Sequence, residues 1–533
     1  MTVLYDVPGL SRRVFLGTAA ATAGAALLPA RAAAKTKYVR HNAFTPQGRA
    51  MLESYRKGVA NLLAKDPADP HNWFRNAFVH AMDCPHGNWW FFVWHRGFVG
   101  WFEQTVRDAS GNPNFAFPFW DWTSRAEMPP DMFVGALDPA GKDFDRYTSS
   151  FPTFKKYLGP AMTAYWDGLS QEQHDLLKNT RGLPSMDALW AQVEGNEKDG
   201  AMYVTTPHAR FMTAKTPWLD KKTKGEVAAS IVGIGLRRRT FASFNSVKTT
   251  SHNLPPSGPG VFSILEAHPH NKTHNYIGGV NYVTWQNYGW MADNLSPVDP
   301  VFFLHHSNMD RLWDVWSRKQ RAAGLSDRPD KADWPVYAAE KFLFYIDRNG
   351  KPVPRNTAGD YFDIGDFDYS YAPGFGEEMV VHPPLALAVA ANTISATASG
   401  GKAALNVPAG FSAPATADDA VVTLTLPHPT SGSAPREYDV LVNAPPGTTG
   451  PVSADSPYYA GTISFFGFMD GMNMGDVTFQ IPLSTLPAAA RSGKLVFTIV
   501  PAAGTKSVTG GTTMLGMAPA ASPLKSVTIT TAQ

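Results

Sequence analysis

The spacing of apolar and polar residues divides the chain into two parts of different character. Up to about Tyr371 the sequence is rich in aromatic residues and mostly helical in pattern. From about Gly374 onward tryptophan is absent, and short stretches alternate between apolar and polar residues. Alternation bounded by Gly, Pro, Ser and Ala clusters predicts an antiparallel β domain. The clearest of these stretches are 421–426, 438–442, 477–481 and 495–500.

These patterns predict four segments. Residues 1–34 form an export signal, residues 35–375 a mainly α domain, residues 376–404 a linker, and residues 405–533 a β domain with a sandwich or barrel-like fold. Within the first segment, residues 11–16 read SRRVFL and precede an apolar run that is shorter than the ~20 residues of a spanning helix. This pattern is typical of a twin-arginine signal and predicts a periplasmic or extracellular protein without a membrane span once the signal is removed. An uncleaved N-terminal anchor is the alternative.

Composition narrows the possible partners. The 533 residues include 47 basic and 45 acidic side chains, a net charge of +2, and no basic block, which argues against nucleic acid. The single cysteine excludes an intramolecular disulfide framework. A chain of this length also needs more than one core.

The histidines are not scattered along the chain. Of the 15, three lie between His80 and His95, and five lie between His268 and His306. Neutral imidazole is the commonest metal ligand, so two tight groups on separate segments predict two halves of a metal site. A single histidine with apolar neighbours is more often a core residue, but that interpretation weakens when the group repeats.

Spacing indicates which rings of the second group can converge. His270 and His274 are four residues apart, so they project from the same helical face and can share one metal. His305 and His306 are about 100° apart on a helix, so only one of them can point at the site. Asp310, one turn beyond His306, is expected to accept the second ring N–H of a ligand histidine.

The first group cannot lie on a single helix. His86 and His95 are nine residues apart and would point in opposite directions. Proline and glycine neighbours place His86 in a loop, and Asn88 is a candidate N-cap for a helix that begins near Trp89. His80 lies near the end of the preceding helix.

Two longer motifs carry a resemblance to a known family. Residues 86–96 read HGNWWFFVWHR and residues 299–310 read DPVFFLHHSNMD, while residues 117–122 read FPFWDW between them. The chain therefore resembles the superfamily of tyrosinases, catechol oxidases and haemocyanins, which carry a coupled binuclear copper centre. Fainter similarity to plant members extends the resemblance over most of residues 38–500.

The resemblance implies a four-helix bundle that holds two copper ions, with O2 as co-substrate. It implies His80, His86 and His95 as ligands of one copper, and His270, His274 and His306 as ligands of the other. His268 and His305 then become neighbours. His71 is the alternative to His80, because many family members place their first ligand further upstream. Zinc is the alternative metal, but its sites usually include cysteine or carboxylate ligands.

Three further residues take roles from the resemblance. Cys84 precedes His86 by two positions, as in the fungal enzymes, which implies a Cys84–His86 thioether; an ordinary buried cysteine is the alternative. Glu266 and Asn271 correspond to a pair proposed in the family to hold a water that deprotonates a monophenol. Alternatively, both only cap or solvate a helix.

The implied function is the hydroxylation of small monophenols and the oxidation of o-diphenols to o-quinones. The alternatives are a catechol oxidase without monophenolase activity, a haemocyanin-like oxygen-binding protein, and a copper store. The last rests on methionines of the β domain: Met469, Met472, Met474, Met514 and Met517. Residues 465–468 (FFGF) are expected to plug the copper pocket. The sequence does not determine the physiological phenol, the oligomeric state or the cleavage site.

Overall fold

The computed structural model describes most of the chain. The described residues are 36–194, 209–279, 289–383, 392–408, 420–428, 435–466, 475–486, 491–502 and 522–531. The predicted export signal lies outside them, as do Gly467, Phe468 and the five methionines of the copper-store hypothesis. Among the described helices, none is both long and apolar enough to cross a membrane.

The first part of the chain is helical, as predicted. Its helices are α1 (Pro46–Leu63), α2 (Trp73–Asp83), α3 (Phe91–Ser110), α4 (Lys142–Thr148), α5 (Phe151–Asp167), α6 (Gln171–Thr180), α7 (Met186–Glu194), α8 (Lys221–Glu226), α9 (Ala229–Arg237), α10 (Phe241–Phe244), α11 (Asn271–Gly278), α12 (Val301–Ala322), α13 (Trp334–Ala339), α14 (Ala358–Tyr361) and α15 (Glu377–Val381). Helix α3 begins at Phe91, two residues later than predicted, because the Asn88 side chain accepts the N–H of Trp90 in a turn before the helix.

Aromatic packing holds the central helices together. The Phe303 ring of α12 stacks on Phe102 of α3 with ring centroids 4.6 Å apart, and on Phe117 at 5.0 Å. All three rings are buried. Burying a side chain of this size contributes about 2 kcal/mol. The aromatic richness of this half of the sequence therefore builds the core around α3 and α12.

A buried ionic network also joins α3 and α12. Arg40 donates to Glu103 of α3 at 2.8 Å, and Arg96 of α3 donates to Asp310 of α12 at 2.7 Å. Arg40 lies on a short strand, β1 (Tyr38–Arg40), which pairs in parallel with β3 (Tyr369–Tyr371). Strands β1 and β3, at the start and the end of the helical part, therefore lie together, and Arg40 of β1 contacts both α3 and α12.

The C-terminal part folds as two open sheets. The remaining strands are β2 (Gly260–Val261), β4 (Asn392–Thr397), β5 (Lys402–Val407), β6 (Val421–Pro427), β7 (Glu437–Val442), β8 (Tyr459–Ser464), β9 (Asp476–Pro482), β10 (Gly493–Pro501) and β11 (Ser526–Thr531). One sheet has the order β5-β10-β7-β8 and the other β2-β9-β6-β11-β4. Buried residues of both sheets share one core, so the fold is a sandwich in which neither sheet closes into a barrel.

Two boundaries differ from the sequence prediction. The predicted linker 376–404 contains α15, all of β4 and the start of β5, because the Ala- and Thr-rich stretch pairs its backbone with β11 and β10. In addition, β2 comes from the helical half of the chain and pairs in parallel with β9. The β sandwich is therefore built on to the helical domain rather than joined to it only by a linker.

Candidate metal centre

The first histidine group forms at the end of α2 and the start of α3. His80 lies in the last turn of α2, Cys84 caps that helix, His86 lies in the following loop, and His95 lies in α3. The centroid of the His80 ring is 5.5 Å from that of His86 and 5.9 Å from that of His95. One candidate ligand atom from each of the four residues lies within 4.8 Å of all the others. Three imidazoles and a thiol thus surround one point.

The second group forms on α11 and α12. A π-helical turn, Glu266–His270, leads into α11, and such turns often occur at functional sites. The rings of His270 and His274 lie 4.5 Å apart, and the Nε2 atoms of His274 and His306 are 3.1 Å apart. His305 completes the group, whose candidate ligand atoms also lie within 4.8 Å of one another.

The two histidine groups are in contact with each other. The rings of His95 and His306 stack with centroids 4.1 Å apart and an interplanar angle of 8°, and the rings of His86 and His270 are 5.7 Å apart. The arrangement places two three-histidine sites side by side. The predicted binuclear copper centre fits this donor set, since imidazole is a common ligand of copper and each group offers at least three imidazoles.

Backbone carbonyl groups orient the ligand rings. His80 donates its Nδ1–H to the carbonyl of Asn294, His95 to that of Phe91, and His274 to that of Met291, each at 2.7 Å. Each bond fixes the tautomer that leaves Nε2 unprotonated and free to bind a metal. The Nε2 atoms of His80 and His270 are buried and have no hydrogen-bond partner among the described residues.

The electrostatics of the cavity favour neutral imidazoles. Burial, together with the guanidinium charge of Arg181, lowers the pKa of His80 to about 3. Burial and the neighbouring histidines hold the pKa values of the other five predicted ligands well below the usual value: His86, His95, His270, His274 and His306. Protons therefore do not compete with a metal for these nitrogens near neutral pH.

The structure distinguishes between His305 and His306. Trp122 donates its indole N–H to Nδ1 of His305 at 3.2 Å, so the ring proton of a neutral His305 is on Nε2. A protonated Nε2 cannot bind a metal, although it faces the second group. This contact favours His306 as the ligand and His305 as its neighbour, as the resemblance implies.

Two other histidines lie outside the centre. The Nε2 atom of His71 bonds to the carbonyl of Asp347 at 2.9 Å, away from the cavity. His268 bonds through Nδ1 to Glu226 at 2.5 Å and through Nε2 to the carbonyl of Gln480 at 2.6 Å. Of His71 and His80, the structure therefore places only His80 in the cluster.

The predicted role of Asp310 is wrong. Its carboxylate accepts from Arg96, Arg40, Tyr369 and Tyr371, and from no histidine of the described residues. The charges of two buried guanidinium groups hold the pKa of Asp310 below its usual value. Asp310 contributes to the contact between α3 and α12 instead of orienting a ligand ring.

Cys84 lies between two predicted ligands. Its Sγ is 3.7 Å from Nε2 of His86 and 3.3 Å from Nε2 of His95. Sequence spacing indicated only the contact with His86. The predicted thioether therefore stays a prediction.

Glu266 and Asn271 both have protein partners. Glu266 accepts the N–H of Gly87 at 2.6 Å and the hydroxyl of Ser246, and burial raises its pKa to about 8. The Asn271 amide oxygen accepts the Nδ1–H of His270, and its NH2 group donates to the carbonyl of Ser464 on β8. No sequence signal pointed to Ser246 or Ser464, since both contacts form between distant segments.

A second buried polar cluster supports the first histidine group. His252 is fully buried between Asp83, at 2.9 Å from Nε2, and Glu340, at 2.5 Å from Nδ1. Trp94, next to His95, donates to the other oxygen of Asp83. Burial opposes the charge of His252, but the two carboxylates outweigh it and raise the pKa of His252 to about 9.

Comparison with known proteins supports the sequence resemblance. Residues 65–319 match the family described as the common central domain of tyrosinase. The polyphenol oxidase of Spinacia oleracea is 23% identical over 354 residues, which cover 63% of this chain and 47% of the relative. The chain thus spans about half the length of the curated relatives that it matches.

Solved structures show the same fold. The structure of a latent aurone synthase, a polyphenol oxidase, has a TM-score of 0.53 at 19% identity and covers 88% of this chain and 86% of that one. The structure of latent apple tyrosinase has a TM-score of 0.50 at 18% identity, covering 88% and 94% of the two chains. Both matches span the helical domain and the β sandwich.

Metal analysis of two variants tests the first ligand. His80→Ala removes one of three imidazoles from the first group, so bound copper should fall from two ions per chain to one. His71→Ala is the matched control and should keep both ions, because its ring bonds to Asp347 outside the cluster. If the His71 variant lost copper and the His80 variant did not, His71 and not His80 would be the ligand.

The His252 cluster predicts a pH dependence of stability. Folding raises the pKa of His252 from 6.5 to about 9, so protonation of this ring stabilises the folded state. The contribution is up to about 3 kcal/mol and is fully present below pH ~6.5. It is lost as the pH rises through about 9. In His252→Gln the unfolding midpoint should be lower at pH 6 and change less between pH 6 and 10. His174→Gln, at a partly exposed ring on α6, should retain the wild-type slope.

Proposed function

We propose that the chain is a copper-dependent oxidoreductase of the tyrosinase and polyphenol oxidase family, which its central domain and its curated relatives support. The proposed reaction uses O2 to oxidise o-diphenols to o-quinones and to hydroxylate monophenols. The observation that carries the proposal is the convergence of six neutral histidines, five of them buried and His86 partly buried, in two adjoining groups.

His80, His86 and His95 would hold one copper, and His270, His274 and His306 the other. Bound copper supplies the electron transfer between a phenolic substrate and O2. The chain orients the ligand rings through backbone carbonyls and surrounds them with aromatic walls. Phe91 lies 4.6 Å from the His270 ring and Phe302 lies 4.1 Å from the His306 ring, which excludes water and presents a flat apolar surface to an aromatic substrate.

We further propose that Glu266 is the group that accepts the proton of a monophenol, through a water shared with Asn271. Glu266 is fully buried and accepts the N–H of Gly87, the residue after the predicted ligand His86, which supports a position of its carboxylate beside the first histidine group. Oxidation of a diphenol needs this base less, because the ring already carries both oxygens. The two activities should therefore separate when the carboxylate is removed.

The β sandwich is proposed to cover the site. The ring of Phe466, which follows β8, stacks on His274 with centroids 3.9 Å apart and also lies 5.1 Å from His86 and 5.4 Å from His270. In this proposal, Phe466 takes the place of a phenolic ring beside the predicted ligands. The solved aurone synthase and apple tyrosinase with this fold are described as latent.

The contacts beside Phe466 are polar. Lys272 pairs with Glu437 at 2.6 Å, Lys222 pairs with Asp439 at 2.7 Å, and Asn275 donates to the carbonyl of Phe465. Buried ion pairs contribute little net stability, because water solvates the separated charges well. An interface of this kind supports a cover that can be released, and it argues against an oxygen carrier with a permanently closed entrance.

Two finer points remain from the sequence. We propose export by the twin-arginine route from the motif at residues 11–16 and a Cys84–His86 thioether from the 3.7 Å approach of Sγ to the ring. Sequencing the N-terminus of exported protein tests the first, and peptide mass mapping of the copper-loaded protein tests the second. A retained N-terminus or a free Cys84 thiol would contradict them.

Oxygen uptake by Glu266→Gln tests the proposed base. Glutamine keeps an acceptor for Gly87 but cannot take a proton, so hydroxylation of a monophenol should fall on the order of 10²-fold. Oxidation of the matching catechol by the same sample is the internal control and should fall far less. Equal losses with both substrates would give Glu266 a structural role only.

The cover is tested by two neighbouring phenylalanines. Phe466→Ala should raise catechol oxidation several-fold, because the ring that blocks His274 is removed. Phe465→Ala is the matched control: its ring packs in the sandwich core against Phe479, so the change should lower stability by about 3 kcal/mol or more without raising activity. An unchanged rate in a folded Phe466 variant would exclude the plug.

A further inference from the structure

The end of α2 requires an external partner. His80 lies in its last turn, and Cys84 and His86 follow within six residues of His80, so the path of this short segment positions two predicted ligands of the first copper and the cysteine of the predicted thioether. The last carbonyl groups of a helix have no partner within it. Cys84 is in an extended conformation, which ends the helix at Asp83.

Arg181 supplies that partner. Its NH1 donates to the carbonyl of Cys84 at 2.9 Å, and its NH2 donates to the carbonyl of Ala81 at 2.8 Å. Arg181 directly follows α6, 97 residues beyond Cys84, and neither family motif contains it. A cation at a helix C-terminus also complements the partial negative charge of the helix end.

The charge is placed there at an energetic cost. Arg181 is only 6% exposed, its Nε has no partner among the described residues, and its two hydrogen bonds go to backbone oxygens instead of to a carboxylate. A buried guanidinium without a paired anion is unfavourable. On the other side of the same segment, Asp83 is held by His252 and Trp94. The segment is therefore fixed from both sides.

We propose that Arg181 is a positioning residue of the first copper site, where it fixes the backbone of residues 81–84 so that His80, Cys84 and His86 converge. The inference rests on the proposed copper function. A positioning role differs from that of an ordinary helix cap in its effect on copper binding. Loss of a cap lowers the stability of the fold without weakening one copper site more than the other.

The chain offers a matched control for the helix-cap role. Lys319 is 3% exposed and donates through Nζ to the carbonyls of Leu236 and Arg238, both at 2.9 Å, at the end of α9. Like Arg181, it is a buried basic side chain that donates to backbone carbonyls at the end of a helix. Helix α9 carries none of the six predicted ligands, and Lys319 lies near the C-terminal end of α12 whereas His306 lies near its start. Lys319→Met should therefore lower stability but leave copper binding unchanged.

The experiment titrates copper into wild type, Arg181→Leu, Arg181→Lys and Lys319→Met, and follows copper per chain and the paramagnetic signal of an isolated copper(II) ion. Wild type and the Lys319 variant should bind two ions. Arg181→Leu should bind one ion, on the second group, with the isolated-ion signal and at least tenfold weaker binding of a further ion. Arg181→Lys, which can still donate to one carbonyl, should give an intermediate affinity.

The outcomes separate the two proposals. If wild type binds no copper, the proposed function fails. If wild type binds two ions and Arg181→Leu binds two with unchanged affinity, the positioning role is wrong. Should the leucine variant not fold, the lysine variant decides: unchanged affinity for both ions overturns the inference, and weaker binding confined to the first group supports it.

Discussion

The structure depends on keeping six imidazole rings neutral and turned toward two adjoining points, with five of the rings buried and that of His86 partly buried. Each neutral ring carries one N–H that must find an acceptor, and an unmet N–H inside a protein costs about 1–3 kcal/mol. Backbone carbonyls of Phe91, Met291 and Asn294 accept three of these protons. The same bonds leave the opposite nitrogens without protons, so the requirement of the fold and that of metal binding are met together.

The two halves of the site come from distant segments, and a buried ionic network sets their relative position. Arg96 and Glu103 belong to α3, Asp310 belongs to α12, and Arg40 contacts both carboxylates. Removing one member of a buried pair leaves an uncompensated charge, which typically costs 3–5 kcal/mol. The stacking of Phe303 on Phe102 adds apolar contact to the same helix pair. Stability and site geometry are thus set by the same contacts.

The β sandwich contacts the histidine site and the helical domain through one face, which is mostly polar. Phe466 is the apolar group that the sandwich presents to the histidines, whereas its neighbours Glu437 and Asp439 pair with lysines of the helical domain. Local sequence could indicate an aromatic FFGF stretch and alternating strands. It could not indicate that the second phenylalanine faces the cavity while the first packs in the sandwich core, because that choice depends on how β8 meets α11.

The sequence by itself determined the division into helical and β parts, the two histidine groups and the chemistry of their ligands, because hydrophobic period, composition and motif spacing are local properties. Tertiary structure alone decided that His80 and not His71 joins the first group. It also decided that Trp122 donates a hydrogen bond to Nδ1 of His305, and that Asp310 pairs with arginines. Each of these outcomes turns on which atom of a distant segment meets a given side chain. Local spacing carries no information about such contacts until the chain has folded.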